Sequence, residues 1–159
     1  MAGPETEPDY DPNVWHDDAL YGMRFHTPDL NAPDPRASDW TSLFILDIDH
    51  IVAWVSAGDD MRFHVAPADL VFHEVCDLEM AVDWGDSKGQ IGLSEPAIDR
   101  IARDPVAVAD GRPPMFQWRI AFNHPAGGAI GFRARGFDLN LRREPVLRDE
   151  QRMPVSARA

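Results

Sequence analysis

Asp47 and Asp49 stand two positions apart directly after the apolar run Leu43-Phe44-Ile45-Leu46. On a strand, side chains alternate between faces, so both carboxylates would share one face about 7 Å apart. Such a pair can bind a divalent cation or divide acid and base roles. If the strand passes from core to edge at this point, the two acids instead face water or pair with Arg119 or Arg133. Imidazoles and further carboxylates occur at His16-Asp17-Asp18, His50, His64 and His73-Glu74, but without HExxH, CxxC or EF-hand spacing. A metal site would have to be assembled by the fold, and its ligands stay unknown from the sequence. His50 shares a strand face with Ile48 and Val52 and reads as a hydrogen-bonded core histidine, whereas His64, next to Phe63, reads as solvent-facing. No serine sits in a nucleophile elbow, and Gly85-Asp86-Ser87-Lys88-Gly89 is too short for a phosphate loop. No catalytic residue is assigned and no cofactor is implied.

Charge narrows the classes further. The chain carries 27 acids against 15 bases, a formal charge of −12 over 159 residues. The excess is uneven: residues 1–110 hold 23 acids and 6 bases, residues 111–159 hold 4 and 9. A surface of this sign repels a phosphate backbone, which excludes nonspecific nucleic-acid binding by the whole molecule. Arg119, Arg133, Arg135, Arg142 and Arg143 are expected to pair across strands with the acidic half. The longest apolar stretches, such as residues 43–46, are far short of the ~20 needed to span a bilayer, so no membrane partner is expected. Cys76 stands alone and forms no intramolecular disulfide; Glu74, Asp77 and Glu79 around it would raise its pKa, and it reads as a small core residue. The acidic first ten residues do not resemble a signal peptide, and the cytoplasm is the expected compartment.

The elements that must position these groups are mostly strands. Apolar residues recur with period two over residues 19–26, 43–55, 61–65, 70–75, 78–84, 115–123 and 130–141. Gly58-Asp59-Asp60 and His124-Pro125-Ala126-Gly127-Gly128 read as hairpin turns, and Pro67 as a break between two strands. Ser94 as N-cap, Pro96 in the first turn and Ile98, Ile101 and Ala102 on one face predict a short helix over 95–103. Residues 30–40, rich in Pro and Asp, read as a loop. The expected fold is mainly β: an antiparallel sandwich or partly open barrel of six or seven strands with one short helix. Residues 1–13 read as a mobile acidic tail, 14–147 as a single β-rich domain and 148–159 as a loosely ordered tail. Of the five tryptophans, Trp118 keeps the phase of Phe116 and Ile120 and belongs in the core, while Trp15, beside His16-Asp17-Asp18, is expected at a surface or interface.

Residues 43–49 resemble the nucleophile strand of the haloacid-dehalogenase superfamily. That pattern continues with Thr or Val where Ile51 stands, and it places a lysine before an acidic pair. Here Asp59-Asp60 precede Lys88 and no βαβ alternation follows, so both the order and the fold class depart from it. Trp15-His16-Asp17-Asp18, Leu46-Asp47-Ile48-Asp49-His50-Ile51 with Trp54, and Phe63-His64-Val65-Ala66-Pro67-Ala68 with Leu70-Val71-Phe72 resemble a family of small bacterial β-rich proteins without established activity. That resemblance spans residues 15–142 and implies a compact β-rich fold. The tryptophan-histidine-aspartate opening is also distantly similar to some immunity proteins of bacterial toxin systems.

Two functions follow as expectations. The first is a non-catalytic interaction module whose acidic surface binds a basic protein partner, such as a toxin domain. Its candidate contacts are Asp47, Asp49, Asp59 and Asp60, with Trp15 placed at a surface or interface. The second is a small metal-dependent enzyme or ligand-binding protein with a site at the sheet mouth built from the His/Asp cluster His16, Asp17, Asp47 and Asp49. A homo-oligomer is compatible with either.

Overall fold

The period-two runs build a computed structural model of nine antiparallel strands among the described residues, which are 10–27, 42–85 and 93–159. The strands are β1 (Ala19–His26), β2 (Leu43–Ala57), β3 (Asp60–His73), β4 (Cys76–Ala81), β5 (Ala97–Val106), β6 (Met115–His124), β7 (Ala129–Ala134), β8 (Gly136–Leu141) and β9 (Val146–Arg148). Their order is β4-β7-β6-β5-β1-β2-β3-β8, with β9 also on β3, and the sheet does not close into a barrel. The expected loop over 30–40, the turn beyond Gly85 and the tail over 1–9 lie outside the described residues.

The sheet folds into two layers because two of its strands continue round a corner. Only residues 74 and 75 separate β3 from β4, and only Arg135 separates β7 from β8. β3 pairs with β8 on one side of that bend, and β4 pairs with β7 on the other. Glu74 and Asp77 adopt positive φ of 53° at the bend, and the Arg135 guanidinium binds the Glu74 carboxylate there. On the opposite side, the layers meet where β1 touches β5 through the single pair Ala19 and Ala97. Phe44, Leu46 and Ile48 of β2 and Leu70 and Phe72 of β3 face Trp118, Ile120, Ile130 and Phe132 across the core. Rings pack edge to face, with Phe72 and Phe132 at 4.7 Å and Phe72 and Trp118 at 5.2 Å, and the buried Trp118 indole donates to Ala134 O.

Three departures from the sequence reading have local causes. The helix expected over 95–103 is β5. Its register shifts between Ala97 and Ile98 and again between Ile98 and Arg100, so Ile98 and Ile101 both face the core at a spacing of three that imitates a helix. The only helical turns among the described residues are 3-10, at Pro12–Trp15 and Val155–Ala157. Pro67 does not break β3: it falls between the residues paired with β8 (68–73) and those paired with β9 (63–65), where a missing N–H costs nothing, and its carbonyl accepts from Arg142 N. Cys76 is exposed on β4, a strand at the margin of the sheet; partial burial and the Asp77 carboxylate raise its pKa.

Both expected tails contain docked residues. Tyr10 packs edge to face on Trp118 at 5.8 Å and donates its hydroxyl to Ile101 O. Met153 and Arg158 are buried against the outer face of β2 and β3. No helix among the described residues is long and apolar enough to cross a membrane.

Candidate functional site

Asp49 and His50 are neighbours on β2, and strand alternation sends them to opposite faces. The inner face carries His50. Its Nδ1 lies 2.7 Å from Asp18 Oδ2, and the other Asp18 oxygen accepts from Ile51 N at 2.8 Å. Asp18 has no solvent exposure, and burial, outweighing the lowering by His50 and Ile51 N, pushes its pKa up to about 6. The Trp15 ring lies 5.2 Å from the imidazole. β2 bulges at Val52, leaving it unpaired, and beside this bulge a cleft of about 450 Å³ is lined by Asn13, Val14, His50, Val52 and Trp54. Val14, Val52 and Trp54 are each close to half exposed.

The outer face carries Asp47, Asp49 and Ile51. As the spacing predicts, the two carboxylates share a face; Asp49 is closed off from water, Asp47 is a third exposed, and neither meets Arg119 or Arg133. The Arg158 guanidinium reaches both carboxylates, and Arg142 donates from Nη2 to Asp47 Oδ1 and from Nη1 to Asp69 Oδ1, each at 2.8 Å. Asp49 is fully buried and its second oxygen accepts from Met153 N at 2.7 Å. A bulge between Leu20 and Gly22 on β1 turns Tyr21 onto the same face, where the Arg158 guanidinium lies 3.6 Å from its ring centroid. Burial, then the Asp49 charge and hydrogen bond, push the Tyr21 phenol up to about 12. The result is a socket with two carboxylates at its rim and floor and an aromatic plane as one wall, a geometry that suits a planar cation.

The remaining candidates are dispersed. Trp15, expected at a surface, is buried: its ring fills the space against Phe137 and its N–H donates to Tyr10 Oη at 3.0 Å, which satisfies the one polar atom of the indole. His16 is exposed and stacks on Trp54 at 6.4 Å. Asp17 adopts a φ of 66° and accepts from Asn123 Nδ2 at 2.6 Å and Gln151 Nε2 at 2.9 Å. Asp59 and Asp60 lie exposed at the β2–β3 turn, where Gly58 supplies the positive φ of 71°. Of the arginines expected to pair with the acidic half, Arg133 meets Asp77, Arg135 meets Glu74 and Arg142 meets Asp47 and Asp69. Among the described residues, no three His, Cys, Asp or Glu side chains group closely enough to hold a metal ion.

Sequence reasoning missed Asp18, Tyr21 and Arg158 as members of these clusters. Asp18 stood beside the chosen Asp17, and its burial was signalled only by the apolar Ala19-Leu20 that follow it. Comparison with protein-family models, with curated proteins and with solved structures finds no match to this chain.

Proposed function

We propose that the chain is a non-catalytic binding module for a basic protein partner, recognised through arginine. The observation that supports this is the outer-face socket, where Asp47, Asp49 and the Tyr21 ring already surround a guanidinium. The acidic excess of residues 1–110 adds a field that draws such a partner in. A toxin domain with a basic surface belongs to this class of partner, in keeping with the resemblance of the Trp15–Asp18 opening to immunity proteins. The reading includes a cytoplasmic, bacterial setting, supported by a lone cysteine and the arginine-rich base content. Titration with a deca-arginine and a deca-glutamate peptide checks it. The arginine peptide is expected to bind at ~20 mM salt and to weaken as the Debye length shortens. Equal binding of the two peptides, or none by the arginine peptide, removes the reading.

A small-ligand site is the second reading, favoured by the cleft over the Asp18 and His50 pair with its exposed Trp54. Thermal unfolding in the presence of a panel of divalent metals, sugars and nucleotides tests it, because a ligand specific to the folded form raises the melting temperature. A shift that His50→Ala abolishes would support this second reading, and no shift from any compound would remove it.

A further inference from the structure

The segment after β9, residues 149–159, covers the arginine socket without joining the sheet as a strand. Its internal backbone bonds are those of one 3-10 turn, Ala157 N to Pro154 O and Arg158 N to Val155 O. It is held mainly by side chains. Met153 fills an apolar hollow formed by Ile51, Phe63 and Val65, and five residues on Arg158 enters the socket of Asp47, Asp49 and Tyr21. Gln151 adds a hydrogen bond to Asp17 and Arg152 an exposed pair with Glu95, while Val155 between the two anchors is 83% exposed. Tyr21 also lines a neighbouring cleft of about 360 Å³ with Met23, Trp84, Leu93 and Glu95.

We propose that residues 149–159 are a built-in competitor: the outer face of β1, β2 and β3 is a recognition surface for a cationic segment of a partner protein, whose arginine takes the place of Arg158 and whose apolar residue takes the place of Met153. This rests on the arginine-recognition reading above and adds how the site is regulated. In the free protein the strap supplies the Asp49 carboxylate with the Arg158 guanidinium and the Met153 N–H. A partner's apparent affinity is its intrinsic affinity multiplied by the fraction of time the strap is open. An extended partner segment that supplies both anchors, together with further contacts in the adjoining cleft, displaces it.

The test uses a labelled, capped peptide of residues 151–159 and the same peptide with Arg158→Ala, titrated by fluorescence anisotropy into the full chain and into its Arg158→Ala variant. The unaltered peptide is expected to bind the variant at least about 100-fold more tightly than the wild type, the factor for a strap closed ~100 to 1. The altered peptide is expected to lose that binding, which shows guanidinium recognition without any change to the folded chain. Equal affinity of the unaltered peptide for both chains overturns the strap inference and leaves the arginine reading standing. Absence of binding by this peptide and by deca-arginine to either chain overturns both. Sedimentation showing that the wild type exchanges its strap with a second copy overturns the foreign partner in favour of self-association.

Discussion

The adjacent residues Asp49 and His50 each complete a buried side-chain pair, on opposite faces of one strand, and the two pairs are built differently. Asp49 meets an arginine, whose charge is fixed across the working pH range. His50 meets Asp18, whose carboxyl pKa is pushed up to about 6 by burial. Equal burial of Asp18 and Asp49 therefore gives unequal behaviour: the outer pair is a constant electrostatic anchor, and the inner pair responds to acid.

The largest expected effect breaks the outer pair. Asp49→Ala leaves the Arg158 guanidinium and Met153 N without their main acceptor and is expected to cost ~3–5 kcal/mol in denaturant unfolding. Combining Asp49→Leu with Arg158→Met removes both charges together and is expected to recover most of that loss. A single substitution within about 0.5 kcal/mol of wild type would show that the strap leaves the face without consequence.

Next in size is the acid response of the inner pair. Asp18 titrates near 6 in the folded chain against an ordinary value of 3.8. Between these values the folded state holds the proton and the unfolded state does not, so protonation favours folding. The Asp18 contribution is fully favourable below about pH 4, declines as pH rises and is lost above about pH 6, a change of about 3 kcal/mol. Asp18→Asn keeps an acceptor for Ile51 N and lacks this slope. Denaturation at several pH values should give a wild-type advantage over the variant that shrinks from pH 4 to 6.5, and a constant difference would contradict the assignment.

Asp47 sharpens the contrast within the outer face. It is a third exposed and shares its arginines with Asp49 and Asp69, so Asp47→Ala is expected to cost under about 1 kcal/mol. A cost matching that of Asp49→Ala would mean that the two carboxylates act as one unit rather than as floor and rim.

What could be read from the sequence follows physical range. Period-two alternation revealed most strands, both hairpin turns and the shared face of Asp47 and Asp49, because side-chain direction is a property of the local backbone. The bulges at Ile98 and Val52 were hidden, since one inserted residue changes facing without changing composition. Arg158 lies 109 positions from Asp49, so only the folded chain identifies it as the partner. Trp15 was misplaced for the same reason: its charged sequence neighbours were visible, whereas the Phe137 ring that buries it was not.

The two-layer architecture has one stiff margin and one weak one. At the corner, both backbones run from layer to layer, so separating the layers there means bending two covalent chains. At the opposite margin, a single strand pair is reinforced by Asp17 N to Ile98 O, Ile98 N to Asp18 O and Leu20 N to Pro96 O, with Asp17 reaching Asn123 on β6 and Asp18 reaching β2. The tryptophan-histidine-aspartate-aspartate run thus acts as the clasp on a book whose spine is the corner, and under thermal or mechanical load the pages part at the clasp.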